Sequence, residues 1–316
     1  MDLQLLPKAL GFLILLIIGV TGNVFIIIRF SYIRISEKKL QPINLILTVL
    51  ALVNVLVIIS RVIPQSLSAL GVENLLGDTA CKLVIFTYNV NRAMSICVTS
   101  LLSCYQCVII APKTNVWIYF KHRITQNASR FILFFWVINL SMYSYFFLNA
   151  SARRNQTTSP YSLHLVYCDV DFLNYILYIV NGTCHVLRDF IFVVFMAMAS
   201  GYIVFTLIRH ERSVRCIRRS DMFHSTSVEY RASKAVIMLV VLYVLLYGMD
   251  NAMWIYIFTL SDVSTSMNEV RIFFASSYSS LSPIVIIITN TKLKQNLLSY
   301  KRNKILCSVH WKDYGN

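Results

Sequence analysis

The sequence predicts an all-α membrane protein: a bundle of seven transmembrane helices with its N-terminus outside and its C-terminus inside. Three observations carry that prediction. The 316 residues are 57% hydrophobic and only 14% charged, where a soluble domain holds about a quarter charged residues. Apolar runs of about twenty residues or more, the length a bilayer requires, recur seven times. Lys and Arg gather in alternate gaps between those runs, the pattern of cytoplasmic loops.

Helices are expected at about 5–30, 42–68, 81–111, 129–149, 174–209, 233–259 and 271–290, in one domain over 1–316. A cytoplasmic tail is expected at 291–316. The first uncharged run, residues 9–28, is too long for the apolar part of a signal peptide, and no small-residue cleavage site comes after it. Arg29, Arg34, Lys38 and Lys39 come next; Lys113, Lys121 and Arg123 follow the third run. Seven basic residues from Arg209 to Lys234 follow the fifth, and five from Lys292 to Lys304 follow the seventh. The remaining gaps are poor in Lys and Arg and carry Glu73, Asp78, Asp169, Asp171, Asp262 and Glu269. The formal net charge of +15 is therefore a topology signal, and no nucleic-acid partner is expected. The fifth run is over-long and holds Arg188 and Asp189, so its first turns are expected to stand above the hydrocarbon.

Two further features agree with this orientation. Asn149-Ala-Ser and Asn155-Gln-Thr are glycosylation sequons in the gap after run four, which the charge pattern puts outside. The sequons at Asn127 and Asn139 fall inside or within the membrane and are expected to be unused. Cys81, at the outer start of run three, and Cys168, before run five, share the oxidising side. A bridge between them would pin that gap over the mouth of the bundle; two free thiols are the alternative. Cys97, Cys104, Cys107 and Cys184 lie inside apolar runs as small packing residues. No Cys or His cluster has metal-binding spacing, and no cofactor is expected.

The third run, Cys81 to Pro112, organises the rest. About thirty residues of helix span roughly 45 Å, and the run contains one arginine, Arg92. A charge at that depth must face protein or water rather than lipid, so this helix is expected at the centre. Helical spacing places Tyr88, Arg92, Ser95 and Thr99 on one face. Run six repeats the rhythm with Tyr243, Tyr247, Asp250 and Trp254, and Arg188 and Asp189 lie near the outer end of run five. Charge and aromatics facing inward in the outer half describe a pocket for a small ligand. An interhelical ion pair, Arg92 or Arg188 with Asp250 or Asp189, is the structural alternative, and the two are compatible.

Other classes lack their marks. There is no HExxH, GxSxG, Gly-rich phosphate loop or pair of intramembrane aspartates, so no enzyme is expected. Seven is odd and no two halves mirror each other, unlike a transporter built from repeats. On the inner side, the basic stretch Arg209–Lys234 would contact anionic lipid headgroups and dock a cytosolic partner through Arg209, Arg212, Arg215 and Arg231, with Gln106 at the inner end of run three. Cys216 and Cys307 lie beside basic inner segments, where palmitoylation and a plain thiol are both open readings.

Seven helices, an outer N-terminus and a cysteine bridge from helix three resemble a rhodopsin-like G-protein-coupled receptor, and Gly22-Asn23 resembles that superfamily's signature in helix one. The departures narrow the resemblance. Asn54 stands where most members have aspartate, so no sodium pocket is expected. Run three ends Cys104-Tyr105-Gln106-Cys107 in place of DRY, run six lacks CWxP, and run seven has Ser282-Pro283 rather than a full NPxxY. Ile63-Pro64-Gln65, Gly77-Asp78, Cys81-Lys82-Leu83, Arg92 with Ser95-Ile96 and Leu101-Leu102-Ser103 are similar to the type-1 vomeronasal receptors and related fish olfactory receptors. So are Gln106, Pro112, Arg188-Asp189-Phe190-Ile191-Phe192-Val193, Ala199-Ser200-Gly201-Tyr202, Glu229-Tyr230-Arg231-Ala232 and Leu281-Ser282-Pro283.

That resemblance covers nearly the whole chain. It implies a chemosensory, pheromone-sensing receptor in the plasma membrane that binds a small organic molecule and activates a heterotrimeric G protein of the inhibitory class. Ligand contacts would then fall on Tyr88, Arg92, Ser95, Arg188, Asp189, Tyr247, Asp250 and Trp254. Bitter-taste receptors share the size, the short N-terminus and the missing DRY, but generally lack the bridging cysteine. A small transporter is the more distant alternative.

Overall fold

A computed structural model of the chain describes residues 5–37, 41–72, 76–112, 114–152, 162–164, 168–172, 174–216, 223–259, 265–290 and 293. Seven helices are long and apolar enough to cross a membrane. They are α1 (Leu5–Glu37), α2 (Pro42–Ala69), α3 (Asp78–Ile110), α4 (Asn115–Asn149), α5 (Tyr175–Cys216), α6 (Phe223–Thr259) and α7 (Thr265–Thr289). The bundle closes with α1 packed on α2 and α7, and α6 on α5 and α7. Helix α3 packs on α2, α4, α5 and α6, and is the most deeply buried span. The arginine in its apolar run required that central place.

Five helices, α1 and α4 to α7, run past the apolar stretches that announce them. An apolar run marks only the part of a helix that lipid must cover, and polar turns can continue it on either side. Helix α4 reaches back to Asn115, where Trp117 stacks on Tyr202 of α5 with ring centroids 5.8 Å apart. Helix α5 continues to Cys216 and α6 starts at Phe223, so only 217–222 separates them. The basic stretch expected as a long loop is therefore largely two helix ends.

Helix α2 is interrupted by a π-helical turn at Ile58–Val62. Such turns insert a residue, rotate the helix beyond them, and are frequent at functional sites. Here the turn carries Arg61, which is buried.

Polar side chains fasten the helices where hydrocarbon offers no hydrogen bonds. Pro283 lies inside α7 and has no N–H to reach the Ser279 carbonyl one turn earlier. Asn23 of α1 supplies the missing donor, its Nδ2 standing 2.9 Å from that carbonyl. Asn54 of α2 donates to Ser282 Oγ at 2.9 Å and accepts from Ser95 Oγ at 3.0 Å, joining α2, α3 and α7. Its amide is committed on both sides.

Between α4 and α5 a small antiparallel sheet forms with order β1-β3-β2, from β1 (Ala150–Ala152), β2 (Ser162–His164) and β3 (Cys168–Asp171). Ala152 pairs with Cys168 and His164 with Asp169. The bridge Cys81–Cys168 ties the central strand to the head of α3. Asp78 reinforces the junction, accepting from the Ala152 N–H at 2.8 Å. The result is a fixed cap at one end of the bundle.

Helix α1 approaches α7 closely because Gly22 has no side chain: a Cβ there would lie 2.9 Å from Cβ and Cγ of Pro283. Gly22→Leu is expected to force the two helices apart and lower stability by about 1–3 kcal/mol, as overpacking does. Thermal unfolding of the purified protein in detergent measures this; a midpoint equal to wild type would contradict the contact.

Candidate functional site

The α3 face predicted to look inward does so, and Arg92 finds its partner on α6. Its Nη2 donates to Asp250 Oδ2 at 2.8 Å, and its guanidinium lies 5.1 Å from the Tyr247 ring centre. The side chains are 20% and 9% exposed, so the pair is largely withdrawn from solvent. Among the ion pairs considered from sequence, this is the interhelical one that forms. Arg188 and Asp189 instead pair with each other on adjacent positions of α5, at 2.6 Å.

Two more guanidinium groups share the Arg92 neighbourhood. The π-helical turn brings Arg61 over the Tyr88 ring, 5.0 Å from its centre. Arg271, in the second turn of α7, lies within electrostatic reach of Asp250, Arg61 and Arg92. Asp250 answers Arg92 directly. The buried Nε atoms of Arg92 and Arg271 and the buried Tyr247 hydroxyl have no hydrogen-bond partner among the described residues. Buried donors of this kind are costly unless something accepts from them.

Arg188 fastens α5 to α4. Its Nη2 donates to the Tyr143 hydroxyl at 2.8 Å as well as to Asp189, and Nη1 donates to Asn139 Oδ1 at 3.2 Å. Asn139 also donates to the Phe135 carbonyl and faces the sulfurs of Met94 and Cys97 on α3. Asn139 is thus a packing residue. Asp189 lies within electrostatic reach of Arg92, so the two charged clusters are coupled.

Beneath Arg92 is an aromatic floor. Tyr243 and Tyr247 stack with centroids 4.2 Å apart, and Tyr278 meets them at 5.0 and 5.7 Å. The Tyr278 hydroxyl bonds Thr99 at 2.9 Å. Ser95, one turn from Arg92 on α3, is fully buried and donates to Asn54.

The remaining predicted residues lie elsewhere. Gln106 is buried at 2% exposure, and Arg209 is exposed. Arg212 and Arg215 lie on α5 and Arg231 and Trp254 on α6, but their side chains fall outside the described residues. Asn149 ends α4, half-buried, with Nδ2 on the Tyr145 carbonyl at 3.1 Å. Asn155 and Cys307 lie outside the described residues, as does the side chain of Cys216. Sequence reasoning missed Arg61, Arg271, Tyr143 and Tyr278. Arg61 carried the same signal as Arg92, a lone arginine within an apolar run; Arg271 sits at a run's edge, where a basic residue carries no such signal.

A seven-helix bundle capped by a strand that a disulfide ties to its central helix has the fold of the rhodopsin-like G-protein-coupled receptors. Squid rhodopsin matches it with a TM-score of 0.72 over 97% of this chain and 88% of that one, at 16% identity. The chain belongs to the vomeronasal organ pheromone receptor family, whose family model matches residues 9–299. It is 39% identical over 299 residues to olfactory receptor class A-like protein 1 of Danio rerio, covering 94% of both chains. It is 27% identical to vomeronasal type-1 receptor 1 of Homo sapiens, covering 95% of this chain and 84% of that one. The protein is a chemosensory G-protein-coupled receptor, a multi-pass protein of the plasma membrane.

Removing one partner of the Arg92–Asp250 pair leaves the other buried without its direct ion-pair partner. Arg92→Ala and Asp250→Ala are each expected to destabilise by about 3 kcal/mol, the low edge for a buried pair because Arg92 retains some exposure. The double variant should recover about 1 kcal/mol or more relative to the sum. A double-mutant cycle on thermal or denaturant unfolding checks this, and strict additivity would deny the coupling.

Proposed function

We propose that the disulfide-capped end of the bundle faces outside and receives a small organic ligand among Tyr88, Arg92, Arg188, Asp189, Tyr247, Asp250 and Trp254. Arg61 and Arg271 join that set. The observation that carries the reading is the convergence of Arg61, Arg92 and Asp250 on Arg271, with buried Nε donors on Arg92 and Arg271 that have no partner among the described residues. A ligand with an acidic or strongly accepting group satisfies those donors. Sites built this way discriminate sharply, because a ligand lacking the acceptor leaves the donors bare.

Activation is then a shift of population. The ligand binds better to an arrangement in which α5 and α6 move apart at the opposite end, and differential affinity sets how far the equilibrium moves. Ser95, sealed beneath the charged cluster, is bonded to Asn54 and through it to Ser282, which supports a relay role rather than direct contact. At the inner end, Arg209, Arg212, Arg215 and Arg231 contact an inhibitory-class heterotrimeric G protein and the anionic headgroups around it. Gln106, buried in this conformation, is uncovered as the cleft opens.

A second reading has a specific observation behind it. The Arg92–Asp250 contact is a well-formed ion pair between α3 and α6 and could serve the bundle alone. G-protein activation in cells, measured against a panel of small carboxylic acids and their neutral amides, separates the two. Wild type, Arg92→Ala, Arg61→Ala and Arg271→Ala are compared at matched surface levels. The proposal expects responses to acids over amides, with Arg92→Ala and Arg271→Ala raising the half-maximal concentration about tenfold or more, each through a lost charge-assisted hydrogen bond. Unchanged responses in both would leave Arg92 as a structural ion pair.

A further inference from the structure

Helices α4 and α5 each pack closely on α3 rather than on one another. Long side chains bridge their seam at Arg188, at the Tyr143–His185 stack and at the Phe135–Phe192 contact. Towards the capped end the bridging stops and a cavity of about 230 Å³ remains, between Met142 and Tyr145 on α4 and Val180, Asn181, Cys184 and His185 on α5. It lies at the rim of the bundle, apart from Arg92, and Val180 and Cys184 are exposed beside it.

The walls are mostly apolar, with one polar anomaly. Both ring nitrogens of His185 are buried and have no hydrogen-bond partner among the described residues. Its ring stacks on Tyr143 with centroids 4.4 Å apart and planes 7° from parallel, so neighbouring rings hold it in place. A neutral imidazole presents one N–H and one lone pair. Leaving both unmade at the rim of a membrane bundle is costly, because acyl chains supply no substitute.

We propose that this cavity is a second ligand site, entered from the bilayer, for a small uncharged amphiphile with a hydroxyl group. A hydroxyl alone can both donate and accept, and so matches what His185 lacks. The volume holds roughly eight to ten non-hydrogen atoms at liquid packing, the size of a medium-chain alcohol or an alkylphenol. Arg188, Arg92 and Asp189 all lie within electrostatic reach of His185, so an ion of either sign would meet a like charge there.

The site is wired to the charged clusters. His185 stacks on Tyr143, the Tyr143 hydroxyl accepts from Arg188, and Arg188 pairs with Asp189. An occupant that fixes His185 therefore biases how Arg188 is held. That modulatory consequence rests on the function proposed above; occupancy itself does not, and the experiment reads occupancy.

The purified receptor in phosphatidylcholine nanodiscs is photolabelled with 3-azioctanol, with and without excess octan-1-ol, and the adducts are mapped by mass spectrometry. Label is expected between Met142 and Tyr145 and between Val180 and His185, saturable and displaced by octan-1-ol. His185→Phe keeps the ring stack and removes both nitrogens, and is expected to cut labelling there about tenfold, the loss of one good hydrogen bond. Cys184→Trp fills the cavity and should do the same, and both variants should melt as wild type does. Label that rises without saturation in the wild type, or spreads evenly over the bundle surface, overturns the proposal whether or not either variant folds. Undiminished labelling in a folded His185→Phe overturns it too.

Discussion

Each helix of this bundle is tied to a neighbour by a polar side chain that has no water to turn to. Asn23 joins α1 to α7, Asn54 joins α2 to α7 and α3, and Thr99 joins α3 to α7. Arg92 joins α3 to α6, and Arg188 joins α5 to α4. In hydrocarbon, burying apolar surface gives helices little reason to associate, since lipid is as apolar as leucine. Single bonds of this kind are worth only about 0.6 kcal/mol on average. Their effect lies in number and position: together they select one arrangement among many of similar packing.

The same constraint explains why recognition and architecture overlap here. An arginine within a membrane helix must have a partner, and Asp250 serves as that partner while holding α3 against α6. Arg61 and Arg271 bring two further guanidinium groups to the same region. The cluster sits towards the capped end, where the disulfide anchors α3 to β3. Covalent and strand contacts some distance away thus hold the helices that carry it.

Much of this was legible in the sequence because membrane proteins write their constraints plainly. Twenty apolar residues have few alternatives to a spanning helix, and Arg92 stood out as a charge where none is cheap. The inward face of α3 followed from spacing alone, and the bridge from Cys81 to Cys168 followed from their sharing a side. Which acid Arg92 would meet was not legible, because Asp189 and Asp250 sit at comparable depth and only the rotation of α5 and α6 decides between them. Arg61 was as visible as Arg92, a lone arginine in an apolar run, but its direction depended on the π-helical turn, which leaves no mark in composition. The cap was invisible for another reason: strands of three or four residues are too short to show a period. Hydropathy also misjudged where α4 and α6 begin and where α5 ends, since it reports what lipid covers and says nothing of helix beyond it.

The Asn23–Ser279 contact has a consequence for how such a chain can change over time. Pro283 creates a bare carbonyl on α7, and Asn23 on another helix answers it. The dependence runs in one direction. If the proline is replaced first, the new N–H can reach the carbonyl and the asparagine becomes dispensable, free to drift to an apolar residue. If the asparagine is lost first, the carbonyl faces hydrocarbon alone and the lineage carries that defect until the proline is lost as well. Descent through this pair is therefore ordered, and among relatives an asparagine without the proline should be a commoner intermediate than a proline without the asparagine.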